Sequence, residues 1–357
     1  MRRGTTYEMR LPLLPAVALL VTCAACATAR PRPPGLVDDL PLDPLLAAAS
    51  AQADHLERSA RIQSFTLGAR TIPKATYVAA LRRFVALGRE SPTREAFFAA
   101  VGREFTFEEL PARPEVLVTA YFEPIVDGAP AATARFTQPL YRPPAELSAD
   151  HPFLTRAEID SGHALAGRNL ELCWVDPLDA FILQTEGSGA VALPDGTTLQ
   201  LEYAGNNGQP HTRLGGFLPI SKAEMTMHTM SAFLRSLPEP EMRKYLEKNP
   251  RYVFFEPRRG SGPPTSIGLP ATDGRTIATD PTVYPKGALA FLVTTQPRME
   301  ELHAVEWRPL QRFVLDQDTG SGIKGARVDL FWGRGPDAGR YAGVMKQKGH
   351  LYYLLPR

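Results

Sequence analysis

The chain has 357 residues, 44% of them hydrophobic and 22% charged, the balance of a soluble globular protein long enough for two compact domains after a processed leader. Thirty-four prolines and 28 glycines favour turns and short strands over long helical bundles. Forty Lys and Arg against 38 Asp and Glu leave a formal charge of +2, which excludes an electrostatic case for nucleic acid as a partner.

Residues 1–25 read as a lipoprotein signal peptide. Arg2, Arg3 and Arg10 supply positive charge, Leu11 to Val21 is an apolar core, and small residues follow. Met9 offers a second possible start. Ala24-Ala25-Cys26 resembles the end of a bacterial lipobox, although Cys23 stands at the usual leucine position, so Cys26 is the expected lipidation site. The body keeps only Cys173, which rules out an internal disulfide framework. Residues 26–44 read as a tether, Pro- and Arg-rich from Ala27 to Pro34.

From about 45 to 110 the periodicity is helical, with Tyr77, Val78, Leu81, Phe84 and Val85 recurring at three- and four-residue spacing. Gly88 is an expected stop, and Ser91 to Glu95 an expected helix start. Val116 to Phe122 switches to a strand pattern. From there to about 256 short β runs mix with two helices, Lys222 to Leu237 and Glu241 to Glu247, where Pro238 and Pro240 interrupt the pattern. Asn249-Pro250 stops the second, and Tyr252 to Phe255 is a strand. The last hundred residues alternate short strands with turns such as Asp273-Gly274 and Pro285-Lys286-Gly287, the cadence of a small β-barrel.

Asp318 and Asp329 stand eleven positions apart, across a loop whose glycines at 320, 322 and 325 let a bulky ligand approach. Val328-Asp329-Leu330 places the second carboxylate on a strand, which holds it rigidly for proton transfer. Asp318-Thr319-Gly320-Ser321 suggests an aspartic peptidase, but only one copy exists, and Asp316-Gln317 replaces the apolar pair expected before it. Seven histidines form no HExxH and no close pair, so no metal site is expected. Ser188 misses a Gly-x-Ser-x-Gly elbow by one position. Three strings suit carbohydrate, with aromatics for sugar faces and amides or carboxylates for hydroxyls. They run from Thr119 to Pro124, from Asp176 to Gln184 and from Tyr203 to Gly208. A buried Tyr or a turn-forming Asn-Gly accounts for each one singly.

Taken in order, these strings resemble the MltA family of lytic murein transglycosylases, whose carboxyl-terminal part is the 3D domain. The resemblance runs from about Val118 to Arg357. It rests on Asp176-Pro177 through Gln184, Gly187-Ser188-Gly189, Tyr203-Ala204-Gly205 with Asn207-Gly208, and Asn249-Pro250 with Tyr252 to Phe255. Further on come Asp280-Pro281, Pro285-x-Gly287, Gln317 to Gly320, Asp329-x-Phe331-x-Gly333 and Gly335 to Gly339 with Ala342-Gly343. It implies a mainly β protein with amino-terminal helices. Residues 45–122 and 257–357 would form a double-psi β-barrel, and residues 123–256 an inserted smaller β domain, with a glycan strand held between.

The resemblance also implies cleavage of the β-1,4 bond between N-acetylmuramic acid and N-acetylglucosamine in peptidoglycan, leaving a 1,6-anhydromuramyl end. It implies no metal or organic cofactor, and names no protein partner. Asp329 would be the catalytic acid and then base, with Asp318 as the second catalytic carboxylate and Asp280 nearby. Thr119, Tyr121, Asp176, Gln184, Ser188, Tyr203, Asn207, Asp280 and Lys324 would contact substrate, and Cys26 would anchor the chain to the periplasmic face of the outer membrane. The alternative is a noncatalytic peptidoglycan-binding lipoprotein on the same fold. Independently of the family, one carboxyl suffices if the sugar's own C6 hydroxyl attacks, because that nucleophile is already tethered. Burial among Val328, Leu330, Phe331 and Trp332 would raise the Asp329 pKa as an acid requires. Three residues depart from the pattern: Glu186 where Gln is common, Ala120 where Gly is, and His211 where Tyr is.

Overall fold

A computed structural model of the chain describes residue 1 and residues 35–67, 70–109, 115–260 and 262–357. The leader, Cys23, Cys26 and the tether up to Pro34 lie outside the described residues. Among the described residues no helix is long and apolar enough to cross a membrane.

Two antiparallel strands, β1 (Ser64–Leu67) and β2 (Arg70–Pro73), separate helices α1 (Leu42–Arg58) and α2 (Lys74–Glu90). This hairpin corrects the expectation of continuous helix, since strands of four residues are too short to show a period of their own. The periodic residues of α2, Tyr77 to Val85, are buried as expected. Gly88 does not end the helix. A Cβ there would lie 2.5 Å from the Leu46 side chain, so the glycine lets α1 and α2 approach. Helix α3 (Arg94–Glu104) starts where expected, with the Thr93 hydroxyl accepting from the Ala96 N–H at 3.2 Å.

The helices pack on a closed barrel. Its strands are β4 (Val116–Glu123), β11 (Thr276–Thr279), β12 (Ala288–Glu300), β13 (His303–Asp318), β14 (Arg327–Arg334) and β15 (Lys346–Pro356). They pair in the order β12-β13-β11-β14-β4-β15, and β12 closes onto β15, while β3 (Phe105–Glu108) pairs with β15 alongside. The pairs β4–β14 and β11–β13 are parallel and the others antiparallel, which is the double-psi arrangement. Strands β12 and β13 are 13 and 16 residues long, not the short strands the turn cadence suggests, and the distal part of their hairpin is exposed. Helix α8 (Gly335–Ala342) follows β14.

Between β4 and β11 the chain builds a second sheet from β5 (Ile125–Ala129), β6 (Gln138–Tyr141), β7 (Glu171–Val175), β8 (Gly189–Ala192), β9 (Thr198–Asn206) and β10 (Val253–Pro257). Its order is β10-β9-β8-β5-β7-β6. Helices α4 (Arg156–Asp160), α5 (Pro177–Glu186), α6 (Met227–Arg235) and α7 (Glu239–Leu246) accompany it. Helix α6 begins five residues later than its apolar pattern, because Thr226 and Thr229 form a reciprocal cap there. Pro238 and Pro240 open α7 instead of interrupting a helix, as prolines can in a first turn.

Buried ion pairs bind the joints. Glu123, at the exit from the barrel, is fully buried and receives Arg258 at 2.7 Å and also Arg334. Asp38 is buried against Arg275 at 2.6 Å and accepts the Phe313 N–H at 2.8 Å, so the tether expected to run to residue 44 is already docked at residue 38. Removing one partner would leave the other charge buried and alone. Asp38→Ala should lower stability by about 3–5 kcal/mol in urea unfolding.

Candidate active site

The parallel register of β4 with β14 sets Asp329 directly beside Thr119. Strand alternation turns Val328 and Leu330 into the barrel core and Asp329 to the other face, where it is partly exposed. The Thr119 hydroxyl donates to Asp329 Oδ1 at 2.6 Å. Two residues along the same face, the Tyr121 hydroxyl donates to Asp318 Oδ2 at 2.9 Å. Asp318 Oδ1 accepts the N–H groups of Thr319 at 2.8 Å and Ser266 at 3.0 Å. The tertiary structure thus brings Thr119, Tyr121, Asp318 and Asp329 into one cluster.

Burial pushes the Asp329 carboxyl above the usual carboxylate range. The Thr119 bond and the Arg327 guanidinium pull it back, and the Asp318 charge adds to the rise. The neighbours expected to bury it need correcting: Val328 and Leu330 face away, whereas Phe331 shares its face and lies 5.2 Å from the Tyr121 ring, centroid to centroid. Burial also raises Asp318, against the two N–H groups, the Tyr121 hydroxyl and Lys286.

A third carboxyl joins them from the second sheet. Glu186 is the last residue of α5, which Gly187 ends in the left-handed conformation at φ 82°. Burial, and then the Asp329 charge, push Glu186 up to about 8, opposed by the Phe122 N–H. In sequence it was visible only as a departure from a family pattern, with nothing to place it beside Asp329.

Four other expected substrate contacts have structural partners of their own or are buried. Asp176 caps α5, accepting the N–H groups of Leu178 at 2.9 Å and Asp179 at 3.3 Å, with Arg235 3.3 Å away. Gln184 is buried on α5 near Tyr252. Asn207 is fully buried, donating to the carbonyls of Leu154 and Pro250 at 2.8 Å each and accepting the Tyr252 N–H at 2.8 Å. Asp280 is buried and braces the loop from 319 to 326: it accepts the Gly325 N–H at 2.8 Å and both the N–H and the hydroxyl of Thr282 at 3.0 and 2.8 Å. These bonds hold its carboxyl down to about 2. Ser188 is partly exposed after the α5 cap, Tyr203 is half exposed on β9, and Lys324 is exposed on the loop.

Three residues were not read as part of the site in the sequence. Asp316, wholly buried beneath it, accepts from Lys286 Nζ at 2.7 Å, the Thr279 hydroxyl at 2.8 Å and the Tyr353 hydroxyl at 2.5 Å. Lys286 also donates to the Asp318 carbonyl at 2.7 Å, so the lysine of the Pro285-Lys286-Gly287 turn supports the cluster from below. Arg327 donates to the Thr119 hydroxyl oxygen. A charged residue within a turn or two before a strand-borne carboxylate was the available signal.

A closed double-psi barrel with an inserted six-stranded sheet, and a carboxyl cluster where β4 and β14 meet α5, defines the class of protein. Residues 117–256 match the family model described as the MltA specific insert domain, and residues 275–355 the one described as the 3D domain. The chain is 31% identical over 249 residues to membrane-bound lytic murein transglycosylase A of Vibrio cholerae, a stretch covering 67% of this chain and 65% of that one. Among solved structures, a lytic transglycosylase, LtgG, of Burkholderia pseudomallei is 34% identical, with a TM-score of 0.58 over 88% of this chain and 91% of that one. A membrane-bound lytic murein transglycosylase from Agrobacterium tumefaciens is 26% identical, with a TM-score of 0.72 over 90% and 97%. The chain belongs to the MltA family. It spans 65% of the length of the curated Vibrio cholerae relative.

Asp280 and Glu186 give opposite dependences of stability on pH. Asp280 has a folded pKa below its ordinary value near 4, so its stabilisation is present above about pH 4 and is lost as pH falls towards 2. The Tm gap between wild type and Asp280→Ala, followed by thermal melts, should close over that interval. Glu186 has a folded pKa above its ordinary value, so the folded state holds the extra proton, and wild type loses stability as pH rises from about 4 to about 8. Glu186→Gln should melt with wild type near pH 4 and above it by an increasing margin up to pH 8.

Proposed function

We propose that the chain is a peptidoglycan lytic transglycosylase that cleaves between N-acetylmuramic acid and N-acetylglucosamine. The observation that carries this reading is the state of Asp329. It is a partly exposed strand carboxyl with a raised pKa, and one of its oxygens is held by Thr119. Such a group holds its proton more firmly than an ordinary carboxyl and can give it and take it back. In the proposed reaction the glycosidic oxygen takes the Asp329 proton as its bond to C1 breaks. The C6 oxygen of the same sugar then bonds to C1, and its proton passes to the Asp329 carboxylate. The acid is regenerated, no water is consumed, and a 1,6-anhydro end results.

Tethering of the C6 hydroxyl removes the need for a second carboxylate to activate water. Asp318, held by Tyr121 and two N–H groups, orients the cluster and keeps Asp329 protonated. Tyr203, Ser188 and Lys324 are the proposed glycan contacts, because their side chains are at least partly exposed. On this reading residues 45–122 and 257–357 form the barrel domain, and residues 123–256 the inserted one. Relatives named membrane-bound, together with the leader pattern, support attachment at Cys26 to the periplasmic face of the outer membrane.

Digestion of isolated sacculi followed by mass spectrometry tests the reading. Wild type should release anhydro-ended muropeptides. Reducing ends would make it a hydrolase, and no release would favour a noncatalytic wall binder. Asp329→Asn should lose about 10²–10⁴-fold in turnover while still pelleting with sacculi, and Asp318→Asn should lose less.

A further inference from the structure

Thr119 Oγ1 stands between two partners with different demands. Arg327, two positions before Asp329 on β14, directs Nε at it from 3.1 Å and Nη2 from 3.0 Å. Its Nη1 donates to the Gly322 carbonyl of the loop at 3.0 Å. A guanidinium only donates, so Thr119 must accept from it and has a single proton of its own to place. That proton has one good destination, Asp329 Oδ1 at 2.6 Å, because the Val328 carbonyl lies 3.5 Å away.

We propose that Arg327 is a positioning residue for the proton transfer, acting through Thr119 to keep Asp329 Oδ1 a permanent acceptor so that the transferable proton resides on Oδ2. This rests on Asp329 being the acid. A threonine without the guanidinium could rotate and accept from a protonated Oδ1. The acid would then spend part of its time offering its proton to Thr119 and not to the glycosidic oxygen. With Arg327 in place, Nε and Nη2 already occupy both lone pairs of the Thr119 oxygen and a protonated Oδ1 would be a third donor, so the proton is directed to the other carboxylate oxygen in every turnover.

The guanidinium has a second effect through its charge. The groups facing Asp329 are Thr119 and Tyr121 from β4, Arg327 from β14, Asp318 from the end of β13 and Glu186 from α5. Arg327 is the cation of this set, and it opposes the rise that burial and Asp318 produce. It also joins the acid to the loop, which Asp280 pins at Gly325.

The test is the pH profile of kcat/KM for Arg327→Met, Arg327→Lys, Thr119→Val and the Thr119→Val/Arg327→Met double variant. It is run in wild-type and Glu186→Gln backgrounds so that the Glu186 titration is identified. Arg327→Met should lose about 10²-fold in kcat with KM nearly unchanged. Its alkaline limb, where the acid loses its proton, should move up by about one pH unit because a cation is gone. Arg327→Lys should restore the limb but not kcat, since an ammonium cannot make the forked contact. The double variant should be no slower than Thr119→Val alone, because Arg327 acts through Thr119.

An unmoved limb in Arg327→Met, or losses that multiply in the double variant, would overturn the inference. If Arg327→Met folds poorly by thermal melt, Arg327→Lys and Thr119→Val decide the matter by the same criteria: full recovery of kcat by lysine, or an undiminished kcat in Thr119→Val, refutes it. Retained cleavage by Asp329→Asn would instead overturn the acid assignment itself. An inactive Asp329→Asn with an unmoved limb overturns the role of Arg327 alone.

Discussion

The parallel pairing of β4 with β14 joins residues about 210 positions apart in the chain and places Thr119 against Asp329. Parallel strands require a long crossover, and here the whole second sheet with its helices lies between the two. The same pairing puts Tyr121 beside Phe331 and, through its hydroxyl, on Asp318. A slip of one residue would turn Thr119 into the core and leave Asp329 without its hydrogen bond. Closure of the barrel by β12 on β15 removes the freedom for such a slip. The chemistry of the cluster therefore depends on a register that only the complete barrel enforces.

Within that frame, five carboxyls of similar intrinsic acidity reach different states. Asp280, surrounded by N–H and hydroxyl donors, stays strongly acidic and serves as a brace. Asp316 is fully buried but has Lys286 and two hydroxyls as partners. Burial raises Asp316, Asp318 and Asp329 against their donors, and Glu186, opposed by the Phe122 N–H, reaches about 8. Environments that push neighbouring carboxyls apart are how one site obtains both an acid and its supports. Asp329 differs from Asp280 and Asp316 in being partly exposed, with Thr119 donating to its Oδ1.

The buried ion pairs act at the places where the chain changes allegiance. Glu123 with Arg258 and Arg334 gathers the exit from the barrel, the return from the second sheet and the end of β14. Asp38 with Arg275 docks the entering segment, and Gln52 of α1 reaches the barrel through Gly287 and Gln317. Such pairs gain little net energy over apolar packing, yet a misdocked segment would strand a charge. At these joints they specify where each segment docks more than they add to stability.

Local patterns in the sequence carried much of this structure. The helical spacing from Tyr77 to Val85, the strand from Val116, the Asn249-Pro250 stop and the strand-borne Asp329 are all set by residues within a turn or two of one another, where periodicity and backbone chemistry act directly. The β1–β2 hairpin, the length of β12 and β13 and the role of Pro238 escaped because short or long strands and first-turn prolines look alike locally. The structural bonds of Asp176, Asn207 and Asp280 were not legible, because an Asp or Asn that caps a helix or pins a loop has the same sequence appearance as one that binds a sugar. Glu186 and Arg327 could not be placed at all. The contact of Arg327 with Thr119 and the approach of Glu186 to Asp329 each join residues more than a hundred positions apart, and which side chains meet there is settled by strand register and barrel closure, not by spacing along the chain.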